Sequence, residues 1–248
     1  MGSLFRQEDL IMHRFYVDRI EAGTCRLSPE DQHHALHVLR LHCDDSVEII
    51  ADRSRYLAVF RENGMLEIRN PLPSTEPSLQ ITLFQGLPKA DKMDWIVQKA
   101  VEIGVVRIVP VISKRCVAQI LPKDYEKKRL RWERIAREAG KQSGRCLIPS
   151  ISDPVPLTSL LHFSALPEIC IVPWEEEHTM GPMSFIAAHP AFHSLGILIG
   201  PEGGLDSEEI NFLGSVFQPL TLGPRILRTE TAGLAAAAAF LALSGEMG

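Results

Sequence analysis

From residue 79 to the end of the chain, short apolar runs alternate with longer stretches of helical period. This rhythm constrains the fold more than any other feature. The runs 79–84, 105–112, 169–172, 195–199 and 220–222 read as strands, and 105–112 is nearly all apolar, as a strand buried on both faces of a parallel sheet is. Asp91 opens a helix whose apolar positions are Met93, Ile96, Val97, Ala100 and Ile103, with Gly104 as its stop. A basic helix over 124–139 carries Leu130, Ile135, Ala136 and Ala139 as its buried stripe. Asp206 and Glu209 have capping-box spacing for a helix over 207–217. The last helix, 231–244, holds five consecutive alanines at 235–239, which favour helix and give a thin profile for close packing. Alternation of this kind predicts an α/β fold with helices on both faces of a parallel sheet.

The first seventy residues read differently. Alternating patterns at 13–17, 46–50, 55–60 and 65–69 predict short strands, with a hairpin turn at Asn63-Gly64. Ser28 as N-cap and Pro29 in the first helical position start a helix that runs through His33 to Arg40. The proline-dense stretch from Asn70 to Pro77 reads as a linker. Two domains are expected, a β-rich one over 1–74 and the α/β one over 75–248. A chain of 248 residues with 45% apolar content supports a core in each.

Several function classes are excluded. No apolar run approaches membrane-span length, and residues 1–10 lack a basic region followed by an apolar stretch, so no secretory signal is expected. The five cysteines are scattered and without CxxC spacing, which predicts neither disulfides nor zinc and suits a reducing cytoplasm. His33 and His37 share a helical face, but no acid or cysteine sits beside them at ligand spacing, so no metal is expected. The patterns of serine hydrolases, zinc proteases and P-loop enzymes are absent.

Charge is uneven. Residues 1–74 carry nine Arg and no Lys against twelve acids. Residues 89–145 carry fifteen Lys and Arg against seven acids, whereas residues 146–248 carry only Arg225 and Arg228 against eleven acids. A basic segment in a protein of net charge −5 points to a polyanionic partner; a solvated helical face with internal ion pairs is the alternative.

Two glycine-rich turns follow apolar strands in the acidic third, Leu198-Ile-Gly-Pro-Glu-Gly-Gly204 and Leu222-Gly-Pro-Arg-Ile-Leu-Arg228. Side by side they predict a pocket walled by main chain; singly, each is an ordinary tight turn. Pro201 removes an amide donor, and Glu202, Asp206, Glu208 and Glu209 repel phosphate. A ligand with a cationic part and an adenine suits such a pocket better than a pyrophosphate.

These two turns, with Thr229-Glu-Thr-Ala232 after the second, resemble the RsmE family of ribosomal RNA methyltransferases, of the SPOUT class. The similarity extends through Lys89-Ala-Asp-Lys-Met-Asp94, Gln98-Lys-Ala-Val-Glu-Ile-Gly104, Arg131-Trp-Glu-Arg-Ile-Ala-Arg-Glu-Ala139 and Gln142-Ser-Gly-Arg145, and back to Arg14-Phe-Tyr-Val17 and the segment 33–41. One departure lies at 43–56, where the family tends to have glycine-rich turns and this chain has Cys43-Asp44 and Ala51-Asp-Arg-Ser-Arg55. The resemblance implies a C-terminal trefoil knot, an N-terminal PUA/OB-like RNA-binding domain, a homodimer and S-adenosyl-L-methionine as methyl donor. It implies N3 of a uridine in 16S ribosomal RNA as the acceptor.

Carried onto this chain, the donor pocket is expected from Val172, Pro173 and Trp174; from Ile199, Gly200, Pro201, Glu202, Gly203 and Gly204; and from Leu222, Gly223, Ile226, Leu227, Arg228 and Thr231. RNA contacts are expected from Arg14, Arg40, Lys89, Lys92, Lys99, Gln142, Ser143 and Arg145. Arg228 is the candidate catalytic residue, stabilising negative charge on uracil; an ion pair with Glu202 or Glu230 is its alternative. Glu202 is either a base or a residue that orients its own loop. Outside this class stand a non-catalytic RNA-binding protein and a nucleotide-dependent α/β enzyme.

Overall fold

The computed structural model describes residues 12–117 and 120–247. The chain forms two compact units, one ending at Thr75 and the other beginning at Glu76.

In the first unit, β1 (Arg14–Tyr16), β2 (Thr24–Arg26), β3 (Ser46–Ala51), β4 (Ser54–Phe60) and β5 (Met65–Leu72) form one sheet in the order β1-β3-β4-β5-β2. β1 and β3 are parallel and the other pairs antiparallel. Phe15, Val47, Ile49, Ala58, Phe60 and Leu66 make the core with Ala35. Ser28 caps α1 (Pro29–His33) by accepting from the Asp31 amide, and a π turn over His34–Val38 follows. The β3–β4 turn explains the missing glycines. Asp52 and Arg53 both take the left-handed conformation, φ 47° and 62°, at a cost of about 1–2 kcal/mol per residue. Register holds immediately outside the turn, where Ala51 pairs with Ser54. The linker reading needs correction: Asn70, Pro71 and Leu72 continue β5 against β4. Proline is tolerated there because β2 pairs only with 65–67 on the other side, so no ladder bond is lost.

In the second unit, seven strands are all parallel: β6 (Gln80–Gly86), β7 (Arg107–Ile112), β8 (Ser150–Ile151), β9 (Val155–Pro156), β10 (Ile169–Pro173), β11 (Ser194–Ile199) and β12 (Phe217–Leu220). The order is β12-β10-β11-β6-β7-β8, with β9 also on β7. Alternate residues feed two cores. Ile81, Leu83, Ile171, Leu195 and Ile197 pack with α2 (Lys92–Ile103), α3 (Tyr125–Ser143), α4 (Pro182–Ala188) and α6 (Thr229–Leu243). Phe84, Cys170, Val172 and Leu198 pack with α5 (Ser207–Leu213) on the other face. The predicted capping box at Asp206 and Glu209 is formed. α5 ends at Leu213, earlier than expected, because β12 starts at Phe217; Leu222 therefore lies in the turn, not the strand.

α3 turns most of the expected stripe inward, with Ala136 and Ala139 in the core and Ile135 packed against it, but Trp132 takes the place expected of Leu130. Trp132, Ala136, Ala139 and Gly140 are buried, while Leu130 is 54% exposed. The run of basic residues masked the tryptophan as the real anchor. Ala236 and Ala237 are fully buried in α6. A Cβ on Gly233 would stand 2.9 Å from Leu83 Cδ1, so the small residues bring α6 close to the sheet.

Arg145 is expected above as an RNA contact, and the structure overturns this. The side chain is inside the protein, with the residue 3% exposed. Its Nη2 donates to Glu76 Oε2 at 2.6 Å, and its Nη1 donates to the carbonyls of Val101 at 2.6 Å and Val105 at 3.1 Å. Glu76 also accepts from the amides of Cys146 and Leu147. The pair binds the start of the unit to the ends of α2 and α3. Arg145→Ala strands a half-buried carboxylate and is expected to lower the unfolding free energy by about 3–5 kcal/mol in urea titration. A pure RNA contact would leave the urea midpoint unchanged.

Candidate active site

Four neighbouring strands, β12, β10, β11 and β6, end on the same side of the sheet, and their C-terminal loops converge there. This is where parallel α/β sheets place their ligands. The loops after β10, β11 and β12 enclose a cavity of about 360 Å³ lined by Trp174, Glu175, Gly200 to Leu205, Leu227, Arg228 and Lys92. A second cavity of about 130 Å³ shares Pro173, Trp174, Glu175, Ile226 and Leu227, and adds His178, Leu222 and Gly223.

The loop after β11 turns tightly. The Gly204 amide donates to Pro201 O at 2.9 Å, and Gly204 has φ +68°. The end of β6 presses on this loop, since a Cβ on Gly86 would lie 2.6 Å from Pro201 N. Below it, Gln85 Nε2 donates to Thr229 Oγ1 at 2.9 Å, and Thr229 Oγ1 donates to Gly200 O at 2.6 Å. Gln85 and Thr229 are buried. Sequence reading missed both. Their signals were a polar residue at the end of an apolar strand and a threonine opening the last helix.

The predicted pocket residues are mostly brought together. Pro173, Trp174, Ile199, Gly200, Pro201, Glu202, Gly203, Gly204, Leu222, Gly223, Ile226, Leu227 and Arg228 all line one cavity or both. Two do not. Val172 is buried in a core under the sheet face, because it lies inside β10, one residue short of the loop. Thr231 is exposed on α6; two residues past Thr229 a helix has turned about 200°. Among the described residues, the amides of Leu222, Ile226 and Leu227 donate to no protein group. The loop after β10 is held by Glu177, whose Oε1 accepts from Thr179 Oγ1 and the amides of Thr179 and Met180.

Electrostatics separate the cations. Lys92 Nζ lies 3.0 Å from Glu202 Oε1 and 3.1 Å from Glu230 Oε2. Hydrogen bonds to Glu202 and then Glu230 raise its pKa, so it stays charged. Burial works to raise the Glu202 pKa, but its own amide, the Lys89 amide and Lys92 outweigh it and lower the value. A carboxylate so engaged is a poor proton acceptor and orients its loop. Arg228 makes no ion pair among the described residues, so the alternative pairing with Glu202 or Glu230 is not formed. Of the expected RNA contacts, Lys99 is paired with Glu102. In the first unit, Arg14 is paired with buried Glu48, while Arg40 is exposed. Lys89, Gln142 and Ser143 stand at the surface or partly so, and the Ser143 hydroxyl donates to Ala139 O. No group of three metal-ligating residues exists among the described residues.

A family model for the RNA methyltransferase domain matches residues 75–241. Ribosomal RNA small subunit methyltransferase E of Bacillus subtilis is 32% identical over 244 residues, covering 92% of this chain and 95% of that protein. The enzyme of that name from Mesomycoplasma hyopneumoniae is 31% identical, with 90% and 96% covered. The crystal structure of ribosomal RNA small subunit methyltransferase E from Neisseria gonorrhoeae bound to S-adenosyl methionine superposes with a TM-score of 0.79 at 31% identity, covering 94% of this chain and 98% of that one. The class is thus an RNA methyltransferase. The chain belongs to the ribosomal RNA small subunit methyltransferase E family.

The Glu177 carboxyl is held well down, to about 2, first by the Thr179 hydroxyl and then by the Thr179 and Met180 amides. A lowered folded-state pKa gives stability that is fully present above the ordinary carboxylate range and lost as pH falls. The Thr179 and Met180 amide resonances are therefore expected to hold through pH 4 and to move only near about 2. In Glu177→Gln that transition disappears.

Proposed function

We propose that this protein transfers a methyl group from S-adenosyl-L-methionine to N3 of a uridine in 16S ribosomal RNA. The observation that carries the reading is a main-chain pocket at the sheet's C-terminal edge with an unpaired arginine in its wall, in a chain of this family. The pocket fits the donor. Leu222, Ile226 and Leu227 leave amides for a flat heterocycle, and Glu175 places a carboxylate in both cavities for a cation. The donor supplies an electrophilic methyl group on sulfonium sulfur.

The chain's own residues do the rest. Uracil N3 becomes nucleophilic as its proton passes to water, and the charge spreads to O2 and O4; N3 then bonds the methyl as the C–S bond breaks and S-adenosylhomocysteine leaves. Arg228 offers guanidinium donors to that charge, as an oxyanion donor does. The base must leave its stack to reach a recessed pocket. Phosphate contacts hold the RNA without reading its sequence. Burial removes Arg145 from that role, and Lys92 is held between two acids. Lys89, Lys127, Arg134 and Arg137 have no acidic partner among the described residues; the last three stand on the outward face of α3. In the first unit Arg26, Arg40 and Arg53 are likewise unpaired. A PUA/OB-like RNA-binding role for that unit accords with them and with its five-stranded sheet.

A trefoil knot is part of the same reading. It is supported by the Thr229 hydroxyl bond to Gly200 O, which places the entry to α6 against the loop after β11. A homodimer is supported by exposed apolar side chains on the catalytic unit, Trp95, Ile226 and Leu243. A cytoplasmic location follows from the proposed ribosomal substrate; no helix of the described residues is long and apolar enough to cross a membrane. A non-catalytic RNA-binding protein has no use for the pocket.

Primer extension on 16S RNA treated with protein and donor is expected to stop at one uridine, because N3 methylation blocks the pairing edge. Absence of any stop, with donor binding intact, sinks the proposed acceptor. Arg228→Ala is expected to slow single-turnover methylation about 10²–10³-fold with donor saturating; an unchanged rate removes Arg228 from the chemistry. Combined Lys127→Ala, Arg134→Ala and Arg137→Ala substitution should flatten the slope of log affinity against log salt by roughly two to three, since each lost phosphate contact takes about 0.7–0.9 from it. An unchanged slope removes α3 from the RNA surface.

A further inference from the structure

The cluster beside the pocket holds two acids, Glu202 and Glu230, and two basic residues, Lys92 and Arg228. Lys92 starts α2, Glu202 lies in the loop after β11, and Glu230 is the second residue of α6. Lys92, Glu202 and Arg228 line the same cavity. Lys92 bridges both carboxylates, at 3.0 and 3.1 Å. Arg228 takes neither, although its charge is felt at Glu230, whose pKa is lowered first by its own backbone amide and also by Lys92 and Arg228. The side chains of Lys92, Glu202 and Glu230 are all 30% exposed or less, so water screens the cluster incompletely.

We infer that Lys92 is a positioning residue for the methyl transfer: by occupying Glu202 and Glu230 together, it keeps the Arg228 guanidinium free for the substrate. The inference rests on the reading that Arg228 acts on uracil. Lysine suits the task because its ammonium is a compact charge with three donors on a flexible stem. One such group can satisfy acids from two different loops. Without it, two partly buried carboxylates lose their cation, and Arg228 is the other cation of the cluster. Attraction then draws Arg228 into the ion pair that the native structure avoids. The loss falls mainly on the rate of transfer, because the Lys92 ammonium is already engaged by two acids of the pocket wall.

The test is single-turnover methylation with donor and RNA saturating, on folded protein checked by thermal melting. Lys92→Met is expected to lose at least about tenfold in rate, a part of the roughly 10²–10³-fold that losing the donor itself costs. Donor affinity by calorimetry is expected to change far less. Adding Lys92→Met to Arg228→Ala is expected to cost little more, since both act through one guanidinium. The decisive variant is Lys92→Met with Glu230→Gln, which removes the one of the two carboxylates that feels the Arg228 charge and is expected to recover most of the rate. A role confined to stability gives no such rescue. If Lys92→Met does not fold, Lys92→Gln keeps hydrogen bonds to both acids without the charge and is read in the same way, alone and with Glu230→Gln.

The outcomes separate the two ideas. An unchanged rate in Arg228→Ala removes the underlying reading. A slow Arg228→Ala beside a normal Lys92→Met and Lys92→Gln keeps that reading and overturns the role of Lys92. A slow Lys92 variant that Glu230→Gln does not rescue also overturns it, as does strict additivity with Arg228→Ala.

Discussion

One hydroxyl ties the catalytic unit together. Thr229 Oγ1 has a single proton, and it goes to Gly200 O at 2.6 Å. The hydroxyl must then accept from Gln85 Nε2, which donates its other proton to Gly86 O at 3.0 Å. Three distant segments meet in this chain of bonds: the end of β6, the loop after β11 and the start of α6. Gln85 Oε1 is left buried without a partner, at a cost of about 1–3 kcal/mol. Turning the amide over would forfeit two donor bonds to satisfy one acceptor, so the strain is tolerated. The approach is close enough to demand glycine at 86, where a Cβ would stand 2.6 Å from Pro201 N, and the tight turn of the loop itself demands it at 200, where a Cβ would stand 2.9 Å from Gly204 C.

Charge is organised around the same junction. Most basic side chains near the pocket are paired inward. Lys92 bridges two acids, Lys114 Nζ meets Glu208 at 2.6 Å, and Arg115 Nη1 donates to Gly203 O at 2.9 Å. The loops are thereby held by their flanking cations, while Glu175 keeps its carboxylate for the cavities. Arg228 is left with no acid among the described residues. That isolation distinguishes a group available to a substrate from one that holds the fold, and charge counting along a chain cannot reveal it. Arg145 and Arg228 look alike in sequence, yet one is buried on Glu76 and the other lines a cavity.

Much of the architecture was legible beforehand. The parallel sheet followed from apolar runs, because a strand covered on both faces has no polar positions. Thr82 and Gln85 are the exceptions inside β6, and Gln85 is an exception because of its bond to Thr229. Helix starts at Ser28 and Asp206 were readable because capping is a local interaction between residues three apart. On α3 the stripe of Ile135, Ala136 and Ala139 was readable, but its anchor was not. Its apolar stripe is thin, and Trp132 competes with Leu130 among many charges. The start of α6 at Thr229, two residues before the expected 231, depends on where the preceding loop is anchored, which is a long-range fact.

By itself, the sequence determined what is local: strand and helix rhythm, the two glycine turns, the caps, and membership of the family through contiguous motifs. Only the tertiary structure decided which loops adjoin, which cations are consumed by acids far along the chain, and which glycines face another backbone. Glu202 and Lys92 are separated by more than a hundred positions, as are Gln85 and Thr229. Partnership at that distance depends on strand order and loop path, and neither leaves a periodic trace in the residues that meet.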